Sequence, residues 1–229
     1  MTPRRLLASA ALAVALIVAG CSSSSAEVDL SAPTSTRPRA DAPVTTDLGA
    51  PPVAVVLGDS NIFASAPELN DALSQAGFTP DVRGISGSGL KDNATDWLPA
   101  AAVVKAAQPA VVVIALGTND EINAIDATTF AGRADELLAA LGPLPVVWVT
   151  HSENGVVHPI EYEQQVNDAI RALPATHPNV TVLDLAPQIA GTPDVLGSDH
   201  LHYEGDGREW LAERIATAAE AASEGAATP

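Results

Sequence analysis

Val53-Ala54-Val55-Val56-Leu57-Gly58-Asp59-Ser60 is an unbroken aliphatic run that stops at a glycine and delivers a serine. No residue in 53–57 alternates with a polar one. The strand it predicts must therefore be covered on both faces, as parallel strands are. A second run of this kind, 110–116, leads into Gly117-Thr118-Asn119-Asp120. Elsewhere the apolar spacing turns helical. Leu69, Ala72, Leu73 and Ala76 precede a stop at Gly77, and Phe130, Ala134, Leu137, Leu138 and Leu141 mark a longer face. Val166, Ala169, Ile170 and Leu173 define another helix, and Trp210, Leu211, Ile215 and Ala218 a last one. Shorter strands are expected near 81–84, 145–150 and 180–185, with a helix around 99–107. Alternation of strands and helices predicts an α/β fold, a parallel sheet with helices on both faces. Ligands of such sheets bind beyond the carboxyl ends of the strands, where strand order reverses. Ser60, Gly87 and Asn119 each follow a predicted strand end by a few residues, so all three can face one crevice.

A serine is a weak nucleophile and needs an adjacent base. Asp199-His200-Leu201-His202 offers one: in an Asp-x-x-His turn the carboxylate accepts from one ring nitrogen and leaves the other for the serine. His200 competes with His202 for that role. Asn119 can donate from its amide, Gly87 from its backbone, and Ser60 from its own N–H. Together they make three donors for the charge of a tetrahedral intermediate. Each has a plainer reading, Ser60 as a helix cap, Asn119 and Gly87 as turn residues. Asn61 and Ile62 follow Ser60, so this is not a Gly-x-Ser-x-Gly elbow. Gly84-Ile85-Ser86-Gly87-Ser88-Gly89 lacks the last glycine of a dinucleotide fingerprint and the Lys-Ser/Thr of a phosphate loop. His200 and His202 with Asp199, and His151 or His158 as a third ligand, are zinc-competent residue types without a specific metal spacing. His151, Glu153 and Asn154 follow the fourth strand, either lining the cleft or forming an exposed loop.

The chain has 229 residues and a formal net charge of −17. So acidic a surface repels phosphate backbones and anionic lipid, which argues against nucleic-acid binding and against electrostatic docking on a membrane. Apolar residues make up 47% and aromatics only 3%, so Ala, Val and Leu must fill most of the core. At the start, Arg4 and Arg5 precede an apolar run over 6–19 broken only by Ser9. It is shorter than the ~20 residues a spanning helix needs and suits an export signal. It ends at Val18-Ala19-Gly20-Cys21, which resembles the lipobox of bacterial lipoproteins. That resemblance implies a signal peptide over 1–20 and a lipidated Cys21 at the mature N-terminus. An ordinary cleaved signal or a short anchor helix is the alternative. No second cysteine exists to pair with Cys21. Residues 21–52 then read as a Ser/Thr/Pro/Ala-rich tether with no helical or alternating period, and 53–229 as the folded domain.

Ser60, Gly87, Asn119 and His202, with Asp199, resemble the four blocks of the SGNH (GDSL-type) hydrolase family over most of 53–222. Gly58-Asp59-Ser60 matches the nucleophile block and Gly117-Thr118-Asn119-Asp120 the asparagine block. Asp199 and His202 match the closing block, down to Gly205. Ile85-Ser86-Gly87 aligns best with the glycine block, with Gly84 and Gly89 as alternative donors. The first block departs at Asn61, where members often carry a hydrophobic residue directly after the serine. The resemblance implies a flavodoxin-like, five-stranded three-layer α/β/α sandwich. It also implies an esterase, deacetylase, thioesterase or O-acyltransferase activity that needs neither metal nor cofactor. Ser60, His202 and Asp199 would be the triad, and Ser60, Gly87 and Asn119 the oxyanion hole. The expected substrate is a small-molecule ester, or a glycan or lipid ester of the envelope. Transfer of the acyl group to a sugar hydroxyl uses the same residues. A ligand-binding lipoprotein on a decayed hydrolase fold is the rival from another class. Nothing in the sequence specifies oligomeric state.

Overall fold

The computed structural model describes residues 49–90, 97–123, 125–156 and 159–227. The expected signal peptide, Cys21 and most of the tether lie outside the described residues, as does His158. Five strands run β1 (Val53–Gly58), β2 (Thr79–Gly84), β3 (Val111–Ala115), β4 (Val146–Val149) and β5 (Val180–Leu183). All pair in parallel, in the order β2-β1-β3-β4-β5. The order reverses at β1, which leaves a crevice between the loops that follow β1 and β3.

The central strands β1, β3 and β4 are apolar on both sides because helices cover both sides, while the edge strands β2 and β5 carry Asp81, Arg83 and Thr181. Val55, Leu57, Val112, Ile114 and Trp148 pack with Phe130, Leu137, Val166 and Ile170 on one face. The helices there are α3 (Trp97–Ala107), α5 (Ala127–Leu141) and α6 (Ile160–Ala172). The intervening residues Ala54, Val56, Val113 and Val147 pack with Leu69, Leu73, Leu211 and Ile215 on the other face. That layer is built from α1 (Ser60–Ala64), α2 (Ala66–Gln75), α7 (Ala186–Gly191) and α8 (Asp206–Ala227). A five-residue helix, α4 (Thr118–Ile122), opens directly after β3. The three-layer sandwich read from the sequence is thus the observed fold. Among the described residues no helix is long and apolar enough to cross a membrane.

Register is what positions the site. Gly58 at the end of β1 lies opposite Gly84 of β2 on one side and Ala115 of β3 on the other. Three adjacent strands therefore stop at one level, and their following loops start from a common ledge.

Candidate active site

Ser60 is the first residue of α1, and Asp59 caps that helix by accepting the N–H of Asn61 at 2.9 Å. The N–H groups of a first helical turn have no intrahelical acceptor, so the Ser60 N–H is open to a ligand. Ser60 Oγ lies 3.0 Å from His202 Nε2, across 142 residues of sequence. His202 Nδ1 lies 2.7 Å from Asp199 Oδ2. Asp199 Oδ1 also accepts the backbone N–H groups of Leu201 and His202, each at 3.0 Å. The His202 N–H, the imidazole and the Leu201 N–H together hold this carboxyl down at about 2. An ionised carboxylate only accepts, so Nδ1 carries the ring proton and Nε2 presents its lone pair to the serine hydroxyl. Ser60 Oγ–H is then the donor to His202, the direction proton removal requires.

His202 sits on a loop closed by an antiparallel bridge between Leu196 and Tyr203 and by Gly197 N–H donating to His202 O at 2.8 Å. His200 lies on the same loop, is exposed, and has φ +55, in the left-handed region. Its carbonyl accepts from Asn154 Nδ2 at 2.6 Å. Of the two histidines, the structure brings His202 to the serine. Among the described residues no group of three His, Cys, Asp or Glu is arranged to hold a metal ion.

On the other side of Ser60, Asn119 Nδ2 donates to Ser88 O at 2.9 Å, tying α4 to the glycine-rich turn after β2. Its second, longer partner is Asp59 Oδ2 at 3.4 Å. The three candidate glycines differ in surroundings. A Cβ on Gly84 would run into the Phe63 backbone, and one on Gly89 would stand 2.7 Å from Asp120 Oδ2. A Cβ on Gly87 would meet nothing, and its φ of +76 suits glycine alone. Gly87 is the exposed one of the three, with its backbone clear for a ligand.

Several polar residues of the site stand in or beside the quoted motifs, but the motifs gave them no role. Asp59 is 2% exposed and Asp120 fully buried. Burial is the largest influence on Asp59 and pushes its carboxyl up to about 6, against the pull of the Asn61 N–H it accepts. Asp120 Oδ2 accepts Leu90 N–H at 3.0 Å and so fixes the end of the glycine turn. The Asn61 side chain reaches the His202 loop, accepting from Tyr203 N–H at 3.1 Å and donating to Leu201 O at 3.3 Å. His151 is engaged inward, its Nδ1 2.8 Å from Oδ1 of the fully buried Asn167. Burial, assisted by nearby Arg171, pushes its imidazole down to about 4. Asn167 also donates to Glu153, and Arg171 bridges Glu153 and Asp184. Glu153 thus belongs to a structural network, while Asn154 supports the His202 loop. Asp59 and Asp120 carry one readable signal: each belongs to a quoted block, beside Ser60 or Asn119.

A serine hydroxyl, an imidazole and a carboxylate in one hydrogen-bonded line, at the switch point of a parallel α/β sheet, are the arrangement of serine hydrolases as a class. Within it, this chain belongs to the GDSL-like lipase/acylhydrolase family, whose sequence model matches residues 56–222. Comparison with curated proteins gives no match. Among solved structures, a lipase/acylhydrolase from Enterococcus faecalis is similar at 20% identity and TM-score 0.65, over 74% of this chain and 96% of that one. A carbohydrate esterase family 3 protein from Talaromyces cellulolyticus matches at 22% identity and TM-score 0.62, over 76% and 98%. The catalytic domain of peptidoglycan O-acetyltransferase A from Streptococcus pneumoniae matches at 20% and 0.59, over 78% and 96%. At such identities the likeness is one of fold.

Proposed function

We propose that this protein hydrolyses acyl esters by a serine mechanism, with Ser60 as nucleophile, His202 as base and Asp199 as the group that orients the base and stabilises its charged form. The observation that carries the reading is the line Ser60 Oγ–His202 Nε2 at 3.0 Å and His202 Nδ1–Asp199 Oδ2 at 2.7 Å. His202 takes the hydroxyl proton as Ser60 Oγ bonds to the ester carbonyl carbon. The oxyanion rests on Ser60 N–H, Gly87 N–H and Asn119 Nδ2. Collapse breaks the ester C–O bond, and the alcohol leaves with the proton from His202. Water, deprotonated by His202, then releases the acid and restores Ser60.

Intact nucleophile, base and carboxylate favour catalysis over a ligand-binding role. A sugar hydroxyl in place of water would give an O-acyltransferase, and the Streptococcus pneumoniae enzyme lends that reading some support through shared fold. Faster turnover of an activated acetyl ester on adding a glycan acceptor marks transfer. The site of action proposed is the outer face of the cell membrane, with the domain held by lipid on Cys21, a reading that rests on Val18-Ala19-Gly20-Cys21.

The test is Ser60→Ala. Ester turnover should fall by about 10⁴-fold or more, as for nucleophiles of other triads. Labelling by a serine-directed fluorophosphonate should disappear in the same variant. Turnover retained by Ser60→Ala would remove the assignment.

A further inference from the structure

The hydroxyl of Ser60 and the imidazole of His202 belong to elements far apart in sequence, and a 3.0 Å hydrogen bond between them needs a brace that neither supplies. Asp199 orients the imidazole from within the base's own loop, as does the 197–202 backbone pairing. Neither reaches α1. The residue that crosses the gap is Asn61. Its Oδ1 takes the N–H of Tyr203 at 3.1 Å, and its Nδ2 donates to the carbonyl of Leu201 at 3.3 Å. Those two residues flank His202 on either side. The carboxamide thus pairs with the backbone around the base as a neighbouring strand would, one bond in each direction.

Asn61 is itself held from its own side. Its N–H donates to Asp59 Oδ1 at 2.9 Å, and Ile62, the next residue, is fully buried in the core. An amide with both oxygen and nitrogen committed has one orientation. A leucine or valine in its place would have no group to offer the Leu201 carbonyl or the Tyr203 amide. The polar residue directly after the nucleophile therefore has a geometric task.

We propose that Asn61 is a positioning residue, whose carboxamide clamps the backbone on both sides of His202 and so sets the distance and angle between the imidazole and the Ser60 hydroxyl. The proposal rests on the reading of Ser60 and His202 as nucleophile and base. It assigns Asn61 no contact with substrate. Loss of the clamp should therefore act on kcat and leave KM in place. Displacements on the order of 1 Å in such geometry cost up to about 10²-fold in rate.

The experiment is a double-substitution cycle on the full domain, with a soluble ester and with fluorophosphonate labelling as an independent readout. Asn61→Ala removes the carboxamide without adding bulk, and Asn61→Leu replaces it with an apolar group of the same branching. Either should lower kcat by about 10- to 100-fold with KM within about twofold of the parent, and should slow labelling of Ser60 in step. In a His202→Ala background the same substitutions should cost less than about threefold, because a brace for an absent imidazole has nothing to hold. Unfolding midpoints identify a variant that fails to fold, and the other variant then carries the test. Wild-type kcat in Asn61→Ala or Asn61→Leu overturns the proposal, as does an equal loss with and without His202. If Ser60→Ala and His202→Ala leave turnover intact, the nucleophile–base reading falls first, and the brace with it.

Discussion

Asp59 is 2% exposed, and burial pushes its carboxyl up to about 6 from an ordinary 3.8. The unfolded chain loses that proton near 3.8 and the native state near 6, so the native state binds more protons in between. Stability from the neutral form is complete below about pH 3.8 and is lost as pH rises through 6. The difference, roughly two units, corresponds to about 3 kcal/mol at most. Asn is close in shape, can still accept the Asn61 N–H, and does not titrate. Asp59→Asn should therefore melt above the parent at pH 8 and converge with it at pH 4, by circular dichroism. Parallel melting curves across that range would contradict the buried charge. The same substitution turns an amide toward Asn119 Nδ2, where the parent offers a carboxylate oxygen at 3.4 Å. Turnover at pH 8 should fall while stability rises, a trade expected where a costly group is kept for its site.

At the scale of elements, α1, the end of β3, the end of β4 and α8 enclose a small cavity of ≈ 30 Å³ beside the nucleophile. Asp59 and Asn61, which flank Ser60, border it, together with Thr118, Ile62, Val149 and Tyr203. By volume it takes about two waters. The strands and long helices around this cavity were legible because burial on both faces leaves unbroken aliphatic runs, and burial on one leaves helical spacing. Phe130, Ala134, Leu137, Leu138 and Leu141 are all buried as their spacing demands. The short helices α1, α4 and α7 were not legible. Five or six residues show no period, and packing shapes them: α1 buries only Ile62 and takes its cap from Asp59. The site divides in the same way. Ser60, Asn119, Asp199 and His202 stand in short local motifs, and Asp199–His202 is a contact within one turn. The brace from Asn61 spans 140 and 142 residues, and no local pattern announces a pairing of that kind.

Taken whole, the domain has an entry side and a working side. Residues 49–52 lead into the N-terminal end of β1, and Ser60 leaves its carboxyl end. Six strand residues separate the two levels, about 20 Å at ~3.3 Å per residue. The tether expected over 21–52 thus joins the sheet at the edge remote from the nucleophile, and a flexible chain of that length has a root-mean-square reach near ~30 Å. With a net charge of −17, electrostatics would not draw the domain onto an anionic bilayer, so the hold on the membrane is proposed to come through lipid on Cys21. Two acyl chains at about 0.8 kcal/mol per buried CH₂ are enough for that hold. Cys21→Ser removes the sulfur that would carry them and leaves every residue of the site unaltered. The variant should leave the membrane fraction for the soluble one, with kcat and KM on a soluble ester unchanged within about twofold, as expected of independent sites. Retention in the membrane fraction would show that something other than Cys21 holds the protein. A changed kcat would show that the chain before β1 reaches the catalytic edge after all.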